Sequence, residues 1–108
     1  MWQVIFYQTP QGNSPVYDFI EGLETQTRAK VDRQLHHLQE YGATLAVPNM
    51  KALGQGLYEL RVRGKREVRV FYCFRSGKNV YVLHGFIKKT QKTPKKELAI
   101  ARKRQNEV

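Results

Sequence analysis

Arg61 and Arg69 stand inside two runs that read as β-strands, Leu57 to Arg63 and Glu67 to Arg75. Arginine within a strand costs β-propensity and is awkward to bury, so a sheet that carries several asks for a reason. The two residues flank a hairpin that turns at Gly64-Lys65, which sets them about 5 Å apart if they are directly paired. Charges of one sign that close repel. Glu59, on the same alternating set, offsets part of the repulsion, and a bound phosphate would offset more. A guanidinium grips two phosphate oxygens at once, so this pair suits negative charge building on a phosphoryl group. The competing reading is a Glu–Arg ladder that only stabilises the hairpin. Lys88 and Lys89 follow directly at the end of the next strand and favour the anion site.

The chain offers little for other chemistries. His36 and His37 are adjacent on a helix, about 100° apart around it, and cannot chelate together. Acidic side chains are few and scattered, and no phosphate-binding glycine loop or Ser-His-Asp order is present. No metal or cofactor is expected. What remains is metal-free phosphoryl transfer on RNA, in which a 2′-hydroxyl attacks the adjacent phosphorus and the 5′-oxygen leaves. That reaction needs charge stabilisation, a proton acceptor and a proton donor. Arg61 and Arg69 suit the first task, and Glu59, His84, Lys88 and Lys89 are the candidate proton carriers. His84 alternates with Val82 and Phe86, so a packed structural histidine competes with a catalytic one. Arg63, Arg75 and Lys92 extend the basic strand region. Lys95 and Lys96 fall in the first turn of the last helix, where the macrodipole favours acids. With Lys88-Lys89-Thr90 they make a phosphate-attracting corner; the plainer reading is charge on a solvated helix face.

These side chains need a scaffold, and the apolar pattern supplies one. Trp2 to Gln8 reads as a strand ended by Thr9-Pro10-Gln11-Gly12-Asn13. Ser14-Pro15 is a serine N-cap with proline at the first helical position. Val16, Phe19, Ile20 and Leu23 make one face of a short helix. A second helix runs from Thr25 or Gln26 to Tyr41 with Val31, Leu35 and Leu38 as its face, and Gly42 ends it. The two form an αα-hairpin. Residues 43–56, with Pro48, Gly54 and Gly56, read as a connection. Three strands follow, Leu57 to Arg63, Glu67 to Arg75 and Asn79 to Ile87, and short glycine-containing links predict an antiparallel meander. Thr93-Pro94 repeats the cap-plus-proline signal and opens a last helix with a thin seam of Leu98 and Ala101. The fold class is α+β. One face of the sheet, Tyr58, Leu60, Val62, Val68, Val70, Tyr72 and Phe74, should pack on the helices. The other should stay concave or open and present Glu59, Arg61 and Arg69.

Charge divides along the chain. Residues 1–50 carry three basic and five acidic side chains, and residues 51–108 carry sixteen and four, a net of −2 against +12. Solubility would not need that polarity, whereas a face for phosphates would. Length and apolar content fit one domain, residues 1–108, with a modest core. Cys73 reads as a small core residue. Met1-Trp2-Gln3 does not open a signal peptide, no apolar run is long enough for a membrane span, and no basic amphipathic helix suggests a membrane partner. A cytoplasmic protein is expected.

Four strings carry a family resemblance. Leu57-Tyr58-Glu59-Leu60-Arg61, Arg69-Val70-Phe71-Tyr72 and Leu83 to Pro94 (LHGFIKKTQKTP), followed by Glu97-Leu98-Ala99-Ile100-Ala101-Arg102, resemble the RelE/ParE superfamily of type II toxins. The closer similarity is to its phage-derived HigB-like branch. The resemblance implies a RelE-like fold and a ribosome-dependent mRNA endoribonuclease that cuts message in the ribosomal A site. It also implies a cognate helix-turn-helix antitoxin, HigA-like, which silences the toxin in a heterotetramer. Arg61 and Arg69 match the family's strand arginines, and Lys88 and Lys89 its basic strand end. Lys51 corresponds to its basic loop. The tail from Arg102 to Val108 lacks the tyrosine or histidine that some relatives use as an acid–base group. The same fold also hosts ParE-like inhibitors of DNA gyrase, and a non-catalytic protein that binds RNA or antitoxin stands as a third reading.

Overall fold

Each predicted element has a counterpart, and one strand is additional. The structure, a computed structural model, describes residues 1–42 and 50–108. Gln3–Phe6 forms β1. Pro15–Glu21 and Thr25–Tyr41 form α1 and α2. Met50–Gly54 is β2, inside what the sequence suggests is a connection. Met50-Lys51-Ala52-Leu53 has no β-branched or aromatic residue, so its strand signal is weak. Pro48 and the rest of 43–49 lie outside the described residues. Leu57–Val62, Glu67–Arg75 and Asn79–Lys88 are β3, β4 and β5, and Lys95–Glu107 is α3.

All five strands join one sheet in the order β1-β5-β4-β3-β2. β2 to β5 pair antiparallel, each with the next. β1 adds at the far side, parallel to β5, with Gln3 opposite Asn79 and Phe6 opposite Val82. The result is a mixed α+β fold of five strands and three helices.

Both cap-plus-proline signals place their helices, yet neither hydroxyl caps. Ser14 donates its hydroxyl to the carbonyl of Tyr7, 2.8 Å away. Pro94, not Thr93, is the residue before α3, and the Thr93 hydroxyl reaches Glu59 instead. Gly42 does end α2. A Cβ there would fall 2.1 Å from the Trp2 indole nitrogen, so only glycine fits.

The expected apolar face packs on α1 and α2, with Leu60, Val62, Val68, Val70 and Tyr72 against Val16, Ile20, Val31, Leu35 and Leu38. The second face is not open. α3 lies on it and buries Leu57, Phe71, Cys73, Leu83 and Phe86 with Ala101 and Leu98. That arrangement corrects the expectation of an uncovered Glu59/Arg61/Arg69 surface. A thin seam of small residues suffices because Arg102 donates to the carbonyls of Leu53 and Gly54, Gln105 to that of Gln55, and Arg75 to those of Gln105 and Val108.

One irregularity decides where His84 goes. Phe71 lies opposite His84 while Tyr72 lies opposite Val82, so Leu83 is an extra residue, a β-bulge. Before the bulge, Val80 and Val82 join the core under α1 and α2. After it, His84 and Phe86 stack with Phe71 on the α3 side, and Ile87 packs on the other. His84 therefore shares a face with Phe86 but not with Val82, contrary to simple alternation.

Candidate functional site

Arg61 and Arg69 are directly opposite across β3 and β4. Arg69 is buried at 3% exposure and Glu59 at 2%, while Arg61 is half-buried. The Arg69 guanidinium lies between two carboxylates. Glu59 Oε1 is 3.6 Å from Nε, and Glu67 Oε2 is 3.4 Å from Nη2. Thr93 donates its hydroxyl to the other Glu59 oxygen at 3.1 Å. Glu59 therefore ties the segment entering α3 to the strand arginine.

The arrangement leaves hydrogen-bonding capacity over. Among the described residues, Arg69 Nε and Nη1 and Arg61 Nε are buried without hydrogen-bond partners. An unpaired buried donor costs about 1–3 kcal/mol, more when charged, and an oxygen placed there would recover it. A cleft of about 570 Å³ adjoins these atoms, lined by Arg61, Glu67, Arg69, Lys88, Lys89, Thr90 and Gln91. Four cations and one carboxylate give its lining a net positive charge. A larger cavity of about 720 Å³ lies between β1 and the end of α3, but no lysine or arginine lines it.

The other expected residues divide. Lys88 and Lys89 line the cleft. Lys92, Lys95 and Lys96 are exposed on the adjoining segment and the first turn of α3, where Glu97 also stands. Lys51 is exposed on β2, opposite Glu59 in register. Arg63 is exposed just past β3, and its carbonyl accepts from Lys30 at 3.0 Å. Arg75 is at the far end of β4, six residues from Arg69, about 20 Å along a strand. Its guanidinium is committed to the α3 carbonyls, so the structure does not bring it to the cleft.

His84 is also held elsewhere. Its Nε2 lies 2.8 Å from Glu97 Oε1, and Nδ1 lies 3.4 Å from Arg104 Nη1. Burial pushes its pKa below the usual histidine value, against the pull of Glu97 and with the help of Arg104. Arg104 also stacks over Tyr7, whose hydroxyl donates to Glu107. This network fastens α3 to the sheet. Gln91 and Thr93 are the site residues that sequence reasoning passed over. Their only signal is their place inside the Lys88–Lys92 string and beside Pro94. Among the described residues, no group of three His, Cys, Asp or Glu side chains converges, and no helix is long and apolar enough to cross a membrane.

The family model described as Phage derived protein Gp49-like (DUF891) matches residues 18–106. The chain belongs to the Gp49-like family. This phage-derived family is associated with the toxins of toxin–antitoxin systems, and a Gp49-like chain implies an antitoxin partner in general. The match spans α2 and all of the strands and side chains that build the cleft. No curated protein matches the chain.

Proposed function

We propose that this Gp49-like chain is the toxin of a type II toxin–antitoxin pair and acts as a ribosome-dependent mRNA endoribonuclease, in the manner of the HigB-like branch of the RelE superfamily. One observation carries the reading: a buried Arg69 guanidinium with unpartnered N–H groups, directly opposite Arg61, beside a cleft lined by two lysines. In this mechanism the RNA 2′-oxygen attacks its own 3′-phosphorus. A P–O2′ bond forms and the P–O5′ bond breaks, leaving a 2′,3′-cyclic phosphate and a 5′-hydroxyl. Arg61 and Arg69 hold the extra negative charge of the five-coordinate phosphorus. The 2′-hydroxyl proton leaves to a base and the 5′-oxygen gains one from an acid. Lys88 and Lys89 are the proton carriers on the cleft wall, and Glu59 and His84 act at one remove, by position. The exposed cations of the strongly basic second half hold ribosomal and messenger RNA in general. The partner is a helix-turn-helix antitoxin, assembling with the toxin as a heterotetramer in the cytoplasm.

Primer extension on messages after brief induction tests the activity. Codon-phased cuts within translated regions are expected. Gyrase–DNA damage without such cuts would instead support a ParE-like toxin. Arg61→Ala should lower cleavage by about 10²–10³-fold, the usual effect of losing one charge-stabilising group, with an unchanged melting temperature. Full toxicity in that variant would remove the arginine pair from the mechanism.

A further inference from the structure

The phosphate cleft has a neighbour of different character. A groove of about 540 Å³ is lined by Phe19, Phe86, Ile87 and Pro94, with Arg66, Lys89, Thr90 and Glu97 around them. Lys89 and Thr90 line the cleft as well, so the two spaces adjoin. The groove runs beside the second half of β5, which β1 leaves uncovered, because β1 pairs only as far as Val82. Gly85 keeps it open. A Cβ on that residue would sit 2.8 Å from the Phe19 ring and drive it from its place.

We propose that this groove takes a nucleobase of the RNA strand whose phosphate occupies the Arg61/Arg69 cleft. The inference rests on the phosphate reading of that cleft. Aromatic and proline surfaces provide a stacking wall that accepts any base face. Arg66 and Lys89 supply cations beside it, which suits a polyanion passing from one space to the other. The Glu97 carboxylate argues against a second phosphate there, whereas amino and imino groups of a base are donors that tolerate an acceptor nearby. A free apolar peptide side chain would explain the aromatic wall but not its place beside a cationic cleft.

The test compares adenosine 5′-monophosphate with ribose 5-phosphate, which lacks the base, by calorimetry on the full chain. The nucleotide should bind about tenfold more tightly, the increment of one stacked base. Phe19→Leu and Gly85→Ala should each abolish that increment and leave ribose 5-phosphate affinity unchanged. The second variant retains the ring and only displaces it, so it guards against a folding effect of the first. Equal affinities for the two ligands in the wild type, or an increment that survives both substitutions, would overturn the groove. Failure of ribose 5-phosphate to bind, or binding indifferent to Arg61→Ala, would instead overturn the cleft on which the proposal stands.

Discussion

Glu59 and His84 read as proton carriers in the sequence, and in the structure each is tied to a charged neighbour, Glu59 to Arg69 and His84 to Glu97. Both are ionisable; Glu59 is buried and His84 is partly buried. For Glu59 the consequence is energetic. Removing one partner of a buried ion pair leaves the other charge uncompensated, at about 3–5 kcal/mol. Glu59→Ala should therefore lower unfolding stability by roughly that amount in urea titrations, far more than Arg61→Ala. For His84 the consequence is a pH slope. Its folded pKa is depressed by burial, so the unfolded chain binds the proton more readily. The contribution of neutral His84 is present above the ordinary pKa near 6.5 and is lost as pH falls below it toward the folded value. Thermal melts at pH 7.5 and pH 5.5 should differ in the wild type, and His84→Asn should shrink the difference. An unchanged difference would place the slope elsewhere.

At the scale of elements, α3 is attached by side chain to main-chain hydrogen bonds as well as by apolar contacts. Arg75 illustrates this, since it gives hydrogen bonds to two C-terminal carbonyls of the helix. Arg75→Ala should cost about 1.5–3 kcal/mol and speed hydrogen exchange in α3 without altering RNA affinity. A loss of RNA affinity with normal exchange would return Arg75 to the binding surface. Helices α1 and α2 were legible because their faces repeat at helical spacing and proline or glycine marks their ends. The strands β3 and β4 were legible because Val, Tyr and Phe alternate with charge. β2 was not, having no β-branched residue to announce it. The destination of His84 was not, because a bulge at Leu83 inverts the alternation and nothing in Tyr81-Val82-Leu83-His84 marks one. The Arg61/Arg69 pairing could be read from hairpin geometry. The burial of Arg69 could not, since it depends on Glu59 and on the return of Thr93 from 34 residues away.

For the whole molecule, the decisive quantity is the uneven charge, −2 before residue 51 and +12 after it. If the cleft cations and the exposed lysines beside it each meet a phosphate, binding to a single RNA strand should weaken steeply with salt. The expected slope of log K against log salt is about −0.7 per phosphate contacted. Charge-neutral substitution of exposed Lys95 and Lys96 should flatten that slope while leaving the cut positions unchanged, as followed by filter binding and primer extension. A slope that stays the same would show that those lysines face away from the RNA. The sheet order bears on something earlier than binding. β1 pairs with β5, so residue 6 waits for residue 82. Long-range pairing of that kind is slow and comes late. Glu59 likewise waits for Thr93. A nascent chain therefore cannot complete either the sheet or the arginine clamp until residue 93 has emerged. A protein proposed to attack translating ribosomes stays unfinished until that point of its own synthesis.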